Sequence, residues 1–267
     1  MEHIMGKIIA FTNQKGGVGK TTSAVNVAAS LGILGKRVLL VDMDPQGSTT
    51  SGVGVEKRSL SYSIRDLFRA FLSGEGEERT KEIVNACVQK TEFENLSVIP
   101  AVITLADTEF QLYKKDDSPF IMKNALSYIA DEYDYIVIDC PPSLGMLTVN
   151  ALTACDGVII PMQCEFYALE GLSQLMISIS GIRKNYNADI NVTGILLTMY
   201  TGRFILTAQV VAELKKHYGN KIFGTKISRG VKLSEAPSFG CPVYYHDKNS
   251  KGAKEYLEVA RELVERI

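Results

Sequence analysis

The chain has 267 residues, of which 46% are apolar and 22% charged, and its formal net charge is −1. These are ordinary globular values, enough for a substantial core, and they leave no whole-molecule field for nucleic acid or a membrane surface; any polyanion site has to be a local patch. Five widely spaced cysteines without a Cys-x-x-Cys pair (Cys87, Cys140, Cys155, Cys164, Cys241) and three scattered histidines (His3, His217, His246) argue against a disulfide framework and against zinc.

In chain order, apolar strands are expected at Lys7–Thr12, Arg37–Asp42, Leu96–Pro100, Tyr135–Asp139, Val158–Pro161, Asn191–Thr198 and Lys221–Thr225. Helices are expected near 21–34, 61–73, 79–87, 104–113, 119–131, 145–154, 168–185, 203–217 and 251–266. Several strands are apolar on both faces, as in a sheet covered by helices on each side. The alternation implies right-handed βαβ units and an α/β fold, a doubly wound, mostly parallel sheet flanked by helices, in one domain over 1–267. Ser73–Glu78 reads as a polar surface loop. In Gly252–Ile267, one face holds Tyr256, Leu257, Ala260, Leu263, Val264 and Ile267; the other holds Glu255, Glu258, Glu262 and Glu265 against Lys254, Arg261 and Arg266. Membrane-surface helices are rich in Lys and Arg, so this one is expected to pack on the core. Met1–Gly6 has no apolar leader segment, and no run approaches the roughly 20 apolar residues of a membrane span, so a cytoplasmic protein is expected.

The richest chemistry lies between the first strand and the first helix. Lys15-Gly16-Gly17-Val18-Gly19-Lys20-Thr21-Thr22 has the strand, glycine-rich turn and helix start of a phosphate-binding loop. The glycines let backbone N–H groups face a polyphosphate, and the helix N-terminus adds partial positive charge. Lys20 is placed to reach the β- and γ-phosphates, and Thr21 to hold Mg²⁺. The usual opening glycine is replaced by Gln14, followed at once by a second lysine, Lys15.

Acids at neighbouring strand ends complete a nucleotide site of this kind. Asp139 ends Tyr135–Asp139 before Pro141-Pro142 and is the candidate to hold Mg²⁺ through water. Alternation puts Asp42 and Asp44 on one side of an extended chain. Asp44, farther out, is the candidate to orient the attacking water and a further candidate ligand for the metal. Ser48 and Thr49 are read as caps without a catalytic role.

These segments resemble the ParA (Soj) family of partition ATPases, within the deviant Walker-A class of P-loop NTPases. The resemblance is carried by Thr12–Thr22, by Val41-Asp42-Met43-Asp44-Pro45-Gln46-Gly47, by Ile138–Gly145, by Gln163-Cys164-Glu165-Phe166-Tyr167-Ala168-Leu169-Glu170-Gly171-Leu172 and by Leu233-Ser234-Glu235-Ala236-Pro237-Ser238. It implies weak ATP hydrolysis with Mg²⁺ and a homodimer that sandwiches two ATP molecules. In that arrangement Lys15 reaches the partner's nucleotide, so that Lys15, Lys20 and Asp44 form the catalytic set. It further implies base contacts from Thr198, Met199, Ser228 and Arg229, although Ser228-Arg229-Gly230 stands where the family usually has Pro-Arg-Asn. It implies non-specific double-stranded DNA binding in the ATP state through Arg203, Arg229 and Lys232, stimulation by a ParB (Spo0J)-type partner, a nucleoid-associated location, and a role in segregating chromosome or plasmid DNA.

Local charge fits the DNA expectation. Between Arg183 and Lys232 nine Lys/Arg face two acids, Asp189 and Glu213, in a chain of net charge −1. The rival reading is a MinD-like, membrane-associated division-site ATPase, which should end in a basic amphipathic tail. A metabolic enzyme of the same class, nitrogenase-reductase-like or cobyrinate-amidating, is a further rival; the former needs cluster-binding cysteines, and the residues flanking Cys140, Cys155 and Cys164 match the partition family instead.

Overall fold

The computed structural model describes residues 6–267; His3 and most of the Met1–Gly6 segment lie outside the described residues. β1 (Lys7–Phe11), β2 (Val38–Asp42), β3 (Gln89–Lys90), β4 (Leu96–Ile99), β5 (Tyr135–Asp139), β6 (Gly157–Met162) and β7 (Asn191–Leu197) form one sheet in the order β3-β4-β2-β5-β1-β6-β7. All pairs are parallel except β3 with β4. The helices are α1 (Lys20–Ile33), α2 (Ser48–Gly52), α3 (Ile64–Ser73), α4 (Glu77–Cys87), α5 (Leu105–Leu112), α6 (Ile121–Ser127), α7 (Met146–Ala154), α8 (Ala168–Asn185), α9 (Ile205–Tyr218), α10 (Val231–Glu235), α11 (Val243–His246) and α12 (Lys251–Arg266).

Strand periodicity divides the core into two layers. Ile8, Ala10, Leu39, Val41, Ile136 and Ile138 face one layer with the helices from α3 to α9. Ile9, Phe11, Val38, Leu40 and Val137 face the other with α1 and α12. β2 and β5 are buried along their whole length. Each fully buried Val, Leu or Ile there contributes about 1.5–3 kcal/mol. Tyr256, Val259, Ala260 and Leu263 of α12 are buried against α1, so this helix is a core element as its sequence implies.

Besides the short elements β3, α2, α10 and α11, which the sequence did not suggest, the structure differs from the sequence expectation at three predicted elements. Lys221–Thr225 is not a strand: Gly219–Lys221 forms a one-turn helix, and the chain beyond pairs with β7 and the residues after it through isolated bridges, at Ile195–Ile222 and Tyr200–Ser228, rather than a continuous ladder. The polar surface loop expected at Ser73–Glu78 is present but shorter, confined to residues 74–76: α3 runs through Ser73, Gly74 closes it with φ +70°, and α4 begins at Glu77. The expected helix at 119–131 is reduced to α6 between two one-turn 3-10 segments.

The parallel order brings the loops after β1, β2, β4, β5, β6 and β7 to one edge of the sheet, at the carboxyl ends of these strands. That edge carries the candidate site.

Candidate nucleotide site

The loop after β1 has the backbone its glycines allow. Gly17 and Gly19 lie at φ +73° and +84°, a region that side chains disfavour. Gly16 does not, and a Cβ built on it meets no atom within 4 Å. Neighbouring strand ends hold the loop in place. Thr198 Oγ1 donates to the Val18 carbonyl (2.7 Å), Gln163 Nε2 to the Gly17 carbonyl (2.9 Å), and Asn13 Nδ2 to the Pro161 carbonyl (2.8 Å). α1 starts directly after Gly19 with no side chain capping it, so its first-turn amides remain for an anion.

The two lysines are placed differently. Lys20 is buried, and its amine rests on the Lys15 carbonyl at 3.3 Å. Burial lowers its pKa, against the raising pull of Asp139. Lys15 is exposed, with its amide on Asn13 Oδ1 and its amine paired with Glu165 of the same chain.

Asp139 is fully buried beneath the loop. Its Oδ2 accepts from Thr21 Oγ1 and from Thr49 Oγ1, both at 2.7 Å. Its Oδ1 is buried with no partner among the described residues. Burial, then the nearby Asp42 carboxyl, pushes Asp139 up to about 7. The reading of Thr49 as a mere cap is corrected: its hydroxyl is one of the two donors on this acid.

Asp42 and Asp44 do not share a side, because the strand stops at Asp42. Asp42 is fully buried and accepts from the Thr50 amide (2.8 Å), the Thr50 hydroxyl (2.7 Å) and the Asp44 amide (3.1 Å). It ties α2 to β2, and burial pushes it up to about 6. Asp44 lies beyond it in a turn, with Oδ1 on the Gln46 amide (2.9 Å) and its carbonyl on the Gly47 amide. The turn needs Gly47 at φ +64°.

Thr198, Met199, Ser228 and Arg229 come together around one cleft of about 520 Å³ that begins at Gly19 and Thr22. Met199 sits at φ +47°, a strained value for a side-chain-bearing residue and a mark of a constrained site wall. Ser228 is not free to meet a ligand with its side chain: its hydroxyl and its amide both bind Glu255.

The basic segment is less uniform than its count. Lys232 pairs with Glu235 (2.9 Å), Lys216 with Glu213 (2.7 Å), Lys226 lies over the Tyr200 ring, and Arg183 binds the Ile190 carbonyl. Arg203 and Arg229 are exposed and form no ion pair among the described residues. Phe204 and Ile205 beside Arg203 are also exposed. Among the described residues there is no cluster of three His, Cys, Asp or Glu suited to a metal, and no helix long and apolar enough to cross a membrane.

Known proteins resemble this chain in sequence and in fold. The family model for an AAA domain (AAA_31) matches residues 6–192. The sporulation initiation inhibitor protein Soj of Bacillus subtilis is 50% identical over 97% of this chain and 98% of its own. The chromosome-partitioning ATPase Soj of Treponema pallidum is 43% identical over 98% of each chain. The crystal structure of cobyrinic acid a,c-diamide synthase from Mycobacterium smegmatis, with bound ATP analogue and magnesium, superposes with a TM-score of 0.81 at 34% identity, covering 97% of this chain and 94% of that one.

Proposed function

The chain belongs to the Soj/ParA family of partition ATPases, and from that premise we propose that it is an ATP-driven dimerising switch that holds DNA in its ATP state. ATP and Mg²⁺ are its nucleotide and metal, and ATP hydrolysis is its chemistry. The greater identity to Soj than to the diamide synthase supports partition over a metabolic role.

The observation that carries the reading is the loop with its acid. An uncapped helix start, a buried lysine and a buried carboxylate with one orphaned oxygen form a polyphosphate and metal site. Unpartnered Asp139 Oδ1 is the atom in this chain that a metal-bound water would satisfy, and Thr21 Oγ1 is the adjoining ligand, so the residues fit Mg²⁺. When bound, the ion neutralises charge on the β- and γ-phosphates. The chain's own residues do the rest. Lys20 leaves the Lys15 carbonyl for the phosphates, α1 directs its amides at them, and Thr49 keeps Asp139 oriented from below. Asp44, outside the buried pair, orients the attacking water. The cleft at Thr198, Met199, Ser228 and Arg229 takes the adenosine half.

Lys15 acts in trans. In the single chain its amine is held by Glu165, an exposed pair that costs about 0–1 kcal/mol to break, so a second chain's phosphates draw it away readily. The dimer sets two basic surfaces side by side, with Arg203, Arg229 and Lys232 of each chain on the DNA phosphates. Each phosphate contact contributes a slope of about −0.9 to the log–log salt dependence, so pairing turns weak contacts into useful ones. A ParB (Spo0J)-type partner then stimulates hydrolysis and resets the switch. DNA retention measured with ATP, ADP and no nucleotide tests this: retention with ATP alone is expected, and equal retention in all three refutes the gate.

A further inference from the structure

We propose that Glu255 is the positioning residue of the nucleotide cleft: from α12 its carboxylate grips Ser228 and fixes the loop at 227–230 that walls the cleft. This rests on the reading of the cleft as the adenosine half of the ATP site.

The segment from Lys221 to Ser228 lies along β7 on one side only. Phe223 N donates to the Ile195 carbonyl, Ile227 N to the Leu197 carbonyl, and Tyr200 N to the Ile227 carbonyl. No strand covers its other side among the described residues. Side chains of α12 stand in for one. Arg266 donates to the carbonyls of Thr193 (3.1 Å), Lys221 (3.4 Å) and Ile222 (2.8 Å). Glu262 accepts from the amides of Gly224 (2.7 Å) and Thr225 (3.2 Å). Glu255 accepts from the Ser228 amide (2.8 Å) and the Ser228 hydroxyl (2.7 Å). Spacings of seven and four put these three residues on one stripe of the helix.

Their duties differ. Arg266 and Glu262 secure backbone away from the cleft, whereas Glu255 holds a residue of its wall. Both Glu255 oxygens are engaged by Ser228, and the exposed Lys251 lies 3.6 Å from Oε1. Gly230, two residues on, gives the loop no side-chain tether of its own. The next residue of the helix, Tyr256, is buried and meets Ser23 Oγ of α1 at 3.1 Å, one residue beyond Thr22 of the phosphate loop. α12 therefore anchors the phosphate half through its packing on α1 and the adenosine half through Glu255. Loss of Glu255 frees the second without disturbing the first.

The test compares ATP with inorganic tripolyphosphate, both with Mg²⁺, by calorimetry on wild type, Glu255→Gln, Glu255→Ala and Ser228→Ala. A loop in its binding geometry one-tenth of the time weakens ATP about tenfold, the value expected for Glu255→Ala. Glu255→Gln should fall between it and wild type. Tripolyphosphate should bind all four alike, and in turnover KM for ATP should rise with kcat unchanged. Ser228→Ala removes only the hydroxyl bond, and its expected loss of about threefold in ATP affinity carries the test should Glu255→Ala fail to fold. Unchanged ATP affinity in both truncations, or equal loss of ATP and tripolyphosphate, overturns the proposal. Wild type binding ATP no better than tripolyphosphate overturns the underlying reading of the cleft instead.

Discussion

Replacing Gly16 by valine separates what the loop does for its own chain from what it does for a second one. Gly16 lies outside the left-handed region and a Cβ there meets nothing within 4 Å, so the side chain costs the isolated fold within about 0.5 kcal/mol. ATP affinity should stay within about twofold of wild type. In the proposed ATP-sandwich dimer Gly16 is the point where the two phosphate loops face each other, and two-fold symmetry makes the same substitution appear twice. Each overpacked contact costs about 1–3 kcal/mol, so the dimer loses about 2–6 kcal/mol. That is a weakening of about 30-fold at the low end and about four orders of magnitude at the high end. Gly17→Val and Gly19→Val are the internal controls, because their positive φ forces the loop itself to deform; both should lose ATP binding. Calorimetry reads nucleotide affinity, and sedimentation velocity with a non-hydrolysable ATP analogue reads association. A Gly16→Val protein that dimerises like wild type, or that loses ATP as Gly19→Val does, refutes the reasoning.

Other expectations follow from the same geometry. Lys20→Ala should weaken ATP about 30- to 150-fold by calorimetry, since a buried charge-assisted donor worth about 2–3 kcal/mol is removed. Asp139, pushed up to about 7, and Asp42, up to about 6, bind protons more tightly folded than unfolded. The stability they favour is therefore complete at acid pH and lost as pH rises through these values. Thermal melting in chelator should show a lower midpoint near about pH 8 than near about pH 5, with Asp139→Asn flattening the difference. Magnesium with ATP should restore stability at the higher pH; an unchanged midpoint across the range contradicts the buried-acid account. Arg203→Ala should weaken DNA retention alike on all sequences and reduce the salt slope by about 0.9 per chain; retention unchanged at several salt concentrations removes Arg203 from the surface.

Much of this was legible in the sequence because it depends on local rules. Double-faced apolar strands give the sheet, and Gly17 and Gly19 occupy the backbone that only glycine adopts freely. What escaped depends on who sits across a gap. Thr49 looks like a cap until the β5 strand brings Asp139 within 2.7 Å of it. Asp42 and Asp44 read as lying on one side until the strand ends at Asp42, which turns inward to Thr50. Lys221–Thr225 has strand composition, yet α12 side chains take the amides of Gly224 and Thr225, so no second ladder forms. Cation counting from Arg183 to Lys232 likewise missed that Lys216, Lys226 and Lys232 each have a partner nearby.

The proposed switch depends on Lys15 leaving Glu165 for the nucleotide of a second chain. Sedimentation equilibrium of Asp44→Ala protein loaded with ATP and Mg²⁺, with and without Lys15→Ala, tests this most directly. A persistent dimer is expected for Asp44→Ala and a single chain for the double variant. Asp44→Ala protein that stays a single chain at high concentration with ATP bound, or a double variant that dimerises equally well, contradicts the proposed switch.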